Sequence, residues 1–123
     1  MGKWTSDELE KIGAAEELDL ASVRRDGTLR EPVTMWVVRH GDELYVRSVN
    51  GRGSHWFRGA LARHEAHIRA GGVDRDVLLV ETHDLDDELD AAYRAKYRRY
   101  ADSIVGSVVS PQARAATLEL VPR

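Results

Sequence analysis

The chain has 123 residues, 42% hydrophobic and 32% charged, with a formal net charge of −3 and no cysteine. That length suits one domain, residues 1–123, with its own core, and no apolar run approaches the roughly 20 residues of a membrane helix. The missing cysteines exclude disulfides, thiolate metal sites and cysteine nucleophiles, and with no hydrophobic leader after Met1 a cytoplasmic location is expected.

Residues 6–15 have helical spacing, with Ser6 as cap, Asp7 and Glu8 in the first turn, and Leu9 and Ile12 on one face. Residues 17–24 alternate polar and apolar like a half-buried strand, Arg25-Asp26-Gly27-Thr28 makes a turn, and Pro32 delays pairing until Val33. The β-branched and aromatic run 33–39 reads as one strand, and 43–49 returns as the next. A helix opens at Ser54 or His55. Residues 66–69 and 73–82 form a hairpin around Gly71-Gly72. A longer helix capped by Asp84 or Asp86 carries Leu85, Leu89, Ala92, Tyr93, Tyr97 and Tyr100 on one face. Gly106 and Pro111 break the chain before a closing strand at 115–121. The expected class is α+β, mainly antiparallel β, with about six strands and three helices.

Chemistry concentrates at residues 45–58, where a strand, the glycine loop Asn50-Gly51-Arg52-Gly53 and a helix start follow one another. Free N–H groups at a helix N-terminus, backed by Arg47, Arg52 and Arg58, suit a phosphate or carboxylate. The surrounding segment, Arg24 to Arg69, holds nine arginines against five acids, while both flanks are acidic. This favours a local anion site over a nucleic-acid footprint. The loop is neither a dinucleotide fingerprint nor a nucleotide-triphosphate loop, because Trp56 stands where the third glycine would be and no Gly-Lys-Ser/Thr follows. His64-Glu65-Ala66-His67 is one residue short of the zinc-protease spacing, so no metal site is expected. His55, as an imidazole, is one candidate for contact with the ligand or for acid/base work, and Tyr97 is the other catalytic candidate. No serine lies in a nucleophile-elbow sequence.

The series Glu17-Leu18-Asp19-Leu20-Ala21-Ser22, Arg25-Asp26-Gly27-Thr28-Leu29-Arg30, Met35-Trp36-Val37-Val38-Arg39, Tyr45-Val46-Arg47-Ser48, Trp56-Phe57-Arg58 and Ala92-Tyr93-Arg94-Ala95-Lys96-Tyr97 resembles a bacterial family of unassigned activity, domain of unknown function 2255. The element order also resembles the FMN-binding split barrel, the fold of pyridoxamine 5'-phosphate oxidase and the deazaflavin-dependent nitroreductases. That resemblance implies a split β-barrel with flanking helices and a flavin- or deazaflavin-dependent oxidoreductase acting on a small molecule. FMN or 8-hydroxy-5-deazaflavin would be its cofactor. It implies a cofactor site at Arg47, Ser48, Arg52, Gly53, Ser54, Trp56 and Arg58, with His55 where deazaflavin-dependent relatives carry a proline. Trp36 or Trp56 could pack on the ring, although core packing is the favoured reading for Trp36. The alternatives are a cofactor-free protein holding a small anion and a cofactor-independent acid/base enzyme using His55 or a tyrosine. Short strands leave edges that a second copy could cover, so a homodimer is an expectation.

Overall fold

The structure, a computed structural model, describes residues 3–123. It contains helices α1 (Ser6–Ala14), α2 (His55–Arg63), α3 (Asp86–Lys96), α4 (Asp102–Val108) and α5 (Pro111–Arg114). Its strands are β1 (Leu18–Ser22), β2 (Val33–Met35), β3 (Val38–His40), β4 (Glu43–Arg47), β5 (Glu65–Ala70), β6 (Val73–Glu81) and β7 (Thr117–Pro122). All seven strands pair antiparallel in the order β2-β1-β5-β6-β7-β4-β3. β2 and β3 end opposite edges of the sheet, yet only Trp36 and Val37 separate them in the chain. The sheet therefore curls until its edges meet at a seam. The fold is α+β, a split barrel with flanking helices.

Alternation along the strands sends one set of side chains inward and the other outward. Leu18, Leu20, Leu44, Val46, Ile68, Val77, Leu79, Leu118 and Leu120 fill the interior, closed by Leu9 and Ile12 of α1 and Phe57 and Ala60 of α2. A second apolar cluster lies outside the barrel wall, where Leu89 and Tyr93 of α3, together with Tyr97, cover Val38 and Tyr45 with help from Val105 and Val108 of α4. At the β5–β6 turn Gly71 has φ +57°, and its backbone runs so close to the Lys11 carbonyl that no Cβ could fit.

Four expectations are corrected. The run 33–39 is two strands, because the backbone of Val37 bonds to groups beyond the sheet. Its N–H donates to the Tyr97 hydroxyl at 3.2 Å, and its carbonyl accepts from Lys96 Nζ at 2.6 Å. The sheet thus has seven strands instead of six. Gly106 lies inside α4, and Pro111 opens α5 at the position where its missing N–H costs nothing. The supposed break is therefore two further helices. Finally, Thr5 caps α1 through a reciprocal pair with Glu8, and neither Asp84 nor Asp86 caps α3.

Candidate functional site

The strand, loop and helix start expected at 45–58 are present. β4 ends at Arg47, one 3-10 turn spans Gly51–Gly53, and Ser54 caps α2 by accepting from the Phe57 N–H. Gly51 takes φ +79°, the conformation that favours glycine. The Ser48 hydroxyl donates to the Gly51 carbonyl at 2.8 Å and lies 2.8 Å from the Ser54 hydroxyl. With its own proton so used, Ser48 accepts from Ser54. A closed chain of hydrogen bonds thus fixes the loop, and both hydroxyl protons are spent on it.

The structure disperses the expected cation cluster. Arg47 is only 2% exposed and points into the protein. Its guanidinium donates to Asp90 at 2.5 Å, to the Val108 carbonyl at 3.0 Å, to Thr117 at 3.1 Å and to the Asp86 carbonyl at 3.2 Å. Burial opposes ionisation of Asp90, but hydrogen bonds from Arg114 and Arg47 outweigh it and hold the carboxyl below the usual aspartate range. Arg47 is therefore a structural cation. Arg52 donates to Glu81 at 2.6 Å and to the Ala115 carbonyl at 2.9 Å, and this hydrogen bond lowers the Glu81 pKa. Arg58 is exposed and has no carboxylate partner among the described residues. Gly53 and His55 are exposed, and Trp56 is half-buried.

Beside this loop the seam opens into a cleft of about 420 Å³. β2 and the residue after it supply Val33, Thr34, Met35 and Trp36; the loop supplies Val49 and Asn50; α2 supplies Trp56; and α4 supplies Ile104, Ser107 and Val108, with Arg47 at the floor. Trp36 stacks on Tyr97 with ring centroids 3.8 Å apart and planes 2° from parallel, and Tyr100 lies 5.1 Å away at a tilt. Trp56 meets Phe57 edge-on at 5.7 Å. Val49 and Ile104, two of the few large apolar side chains exposed by more than 40%, stand at this cleft. A second cleft of about 350 Å³, lined by Leu20, Ser22, Arg24, Arg30, Glu31 and His55, shares Val33 and Trp56 with the first.

Trp36 thus lines the cleft while its other side packs on the outer apolar cluster. Tyr97 does not line it: the hydroxyl donates to the Glu16 carbonyl at 2.6 Å, and burial pushes its pKa up to about 12. The catalytic candidate is a support beneath Trp36. The two histidines of the near-zinc motif do not share a helix. His64 ends α2 in the left-handed conformation at φ 57°, and His67 sits on β5 between Asp76 and Asp74, whose hydrogen bonds raise its pKa against burial. Of the residues expected at the site, Trp56 and Arg47 line this cleft; the sequence marks Asn50 only as part of the glycine loop, and α4 was not expected because its glycine hid the helix. Arg30 stands in the series that carries the family resemblance and has no role of its own there.

Residues 8–120 match the family described as "Uncharacterized protein conserved in bacteria" (DUF2255). The chain belongs to this family. No curated protein matches the sequence. Among solved structures, this DUF2255 member is similar to an F420 reductase with a TM-score of 0.59 at 18% identity, over 94% of this chain and 90% of that one. HutZ, the heme storage protein from Vibrio cholerae, aligns with a TM-score of 0.65 at 12% identity, over 96% and 89%. An FAD-binding protein from Mesorhizobium loti aligns at 0.61 and 13% identity, over 98% and 91%. At these identities the DUF2255 chain shares their fold. Among the described residues, no helix is long and apolar enough to cross a membrane.

Proposed function

We propose that this protein is a flavin- or deazaflavin-dependent oxidoreductase acting on a small molecule, with the cofactor ring in the cleft between Trp36 and Trp56. The carrying observation is the cleft. Its volume of about 420 Å³ falls in the range of small-molecule sites, and its apolar walls are interrupted by a few polar groups, Thr34, Asn50 and Ser107. That donor set fits a planar, heteroatom-edged ring. The fold shared with an F420 reductase and an FAD-binding protein supports the same reading.

The bound cofactor would supply hydride transfer, and the protein would supply binding, orientation and exclusion of water. Trp36 is stiffened by its stack on Tyr97, whose hydroxyl is fixed by the backbone, so the aromatic wall is rigid before any ligand arrives. Trp56, Met35 and Val33 close the other walls. Asn50 can both donate and accept at a ring edge. A second reading keeps the cleft but gives it a small anionic metabolite and no redox cofactor. The commitment of Arg47 to Asp90 and of Arg52 to Glu81 removes two cations from the loop at 45–58, and it counts against an anion there under either reading.

Titration with FMN and with 8-hydroxy-5-deazaflavin, while tryptophan fluorescence is recorded, tests the proposal. Saturable quenching is expected with at least one of them, weakened about tenfold in Trp56→Ala through lost stacking and apolar contact. A folded protein whose fluorescence neither compound changes would overturn the cofactor reading in favour of the second.

A further inference from the structure

We propose that Arg30, with His55, forms a subsite for the anionic end of the ligand, a phosphoryl or carboxylate group, in the cleft adjoining the ring site. The assignment rests on the ring placement above and relocates the anion contact from Arg47 to the other side of Trp56.

Arg30 is half-buried in the loop between β1 and β2, yet it has no carboxylate partner among the described residues. One terminal nitrogen donates to the Val23 carbonyl at 3.0 Å and approaches the Ser22 hydroxyl at 3.4 Å, which anchors the side chain. Nε and the other terminal nitrogen have no acceptor among the described residues, so one side of the planar fork is left to offer paired N–H groups. A half-buried cation in that state is a binding group in search of an anion.

The surroundings are arranged for it. The guanidinium lies against the backbone of Gly59 in α2, where an added Cβ would stand 3.1 Å from both Cζ and Nε. Glycine inside a helix is unfavourable relative to alanine, and here it makes the room that the flat guanidinium occupies. His55, the first residue of the nine-residue α2, lines the same cleft, and the unsatisfied N–H groups of that helix end add positive potential. Arg24 adds a third basic side chain, although its guanidinium is already bound to the Leu29 carbonyl at 2.6 Å. Glu31 is the single carboxylate in the lining and forms no ion pair with either arginine. Because Val33 and Trp56 belong to both clefts, a ligand stacked at Trp56 can extend a tail directly to Arg30.

Three probes separate this subsite from the ring site: FMN, riboflavin, which has the same ring without the phosphate, and inorganic pyrophosphate. In the wild type, FMN is expected to bind more tightly than riboflavin. Arg30→Ala should weaken FMN about 10- to 100-fold, the worth of charge-assisted hydrogen bonds, and leave riboflavin unchanged. Gly59→Ala should do the same to a smaller degree by displacing the fork. Pyrophosphate alone should shift the Arg30 Nε–H signal saturably in a nitrogen–proton NMR spectrum. Equal losses for FMN and riboflavin, with Arg30→Lys no better than Arg30→Ala, would mean that the side chain only holds the loop, and would overturn the proposal. So would an Arg30 signal indifferent to pyrophosphate. If pyrophosphate shifts that signal while neither FMN nor riboflavin quenches tryptophan fluorescence, the anion subsite stands and the ring reading falls.

Discussion

Arg47 shows how a residue read as a ligand group becomes a structural one. Its guanidinium meets Asp90, Thr117 and the carbonyls of Asp86 and Val108, joining β4 to α3, α4 and β7 at one point. Removing one partner of such a buried pair leaves the other charge uncompensated. Arg47→Ala is therefore expected to lose about 3–5 kcal/mol in urea denaturation, whereas Arg58→Ala, at an exposed and unpaired position, should stay within about 0.5 kcal/mol of the wild type. The sequence displayed a cation at the end of a strand, where an anion site is plausible. It did not display that Asp90, 43 residues further on, would fold back onto it. Trp36 is the converse case. Its residue type suits a core, and only the turning away of Val37 places it in the cleft.

Elements held by short-range patterns were legible and those held by distant partners were not. The Asp-Gly and Gly-Gly turns, the Ser54 cap, the alternation of β1 and the extent of β6 are local signals, and each lies within a residue or two of its expected place. The break between β2 and β3 depends on Tyr97, 60 residues away, and α4 depends on tertiary packing that carries Gly106 despite its poor helix propensity. At the α2 start, Ser54→Ala should cost about 1 kcal/mol, the usual worth of an N-cap. Because Ser54 also joins the hydrogen-bond chain through Ser48 to Gly51, amide hydrogen exchange should speed up at Phe57 and within the 49–53 loop while β5 and β6 keep their protection. Loss confined to the helix end would show that the serine chain does not stiffen the loop.

Across the whole molecule, ionisable groups give stability a defined dependence on pH. Glu8, Asp74, Glu81 and Asp90 titrate below their usual range, so the stability they contribute is present above the ordinary carboxylate range and lost as pH falls through their lowered folded values. His67 titrates above its usual value, so its contribution is full in acid and lost as pH rises through its folded pKa. Burial and the neighbouring Glu43 raise Glu119 to about 7, so the folded chain holds a proton that the unfolded chain releases, and stability falls as pH climbs towards 7. The melting temperature should therefore peak near about pH 5 and decline towards pH 8. Glu119→Gln should reduce that decline, and a profile unchanged by the substitution would reject this origin for it. The strand that carries Glu119 also sets an order of events during synthesis. β7 lies between β6 and β4, and without it β2-β1-β5-β6 and β4-β3 are two separate sheets with no hydrogen bonds between them. A nascent chain emerging from the ribosome can form either half early, but the two cannot join into a barrel, nor the seam beside Trp36 take its shape, until residues 117–122 have left the exit tunnel.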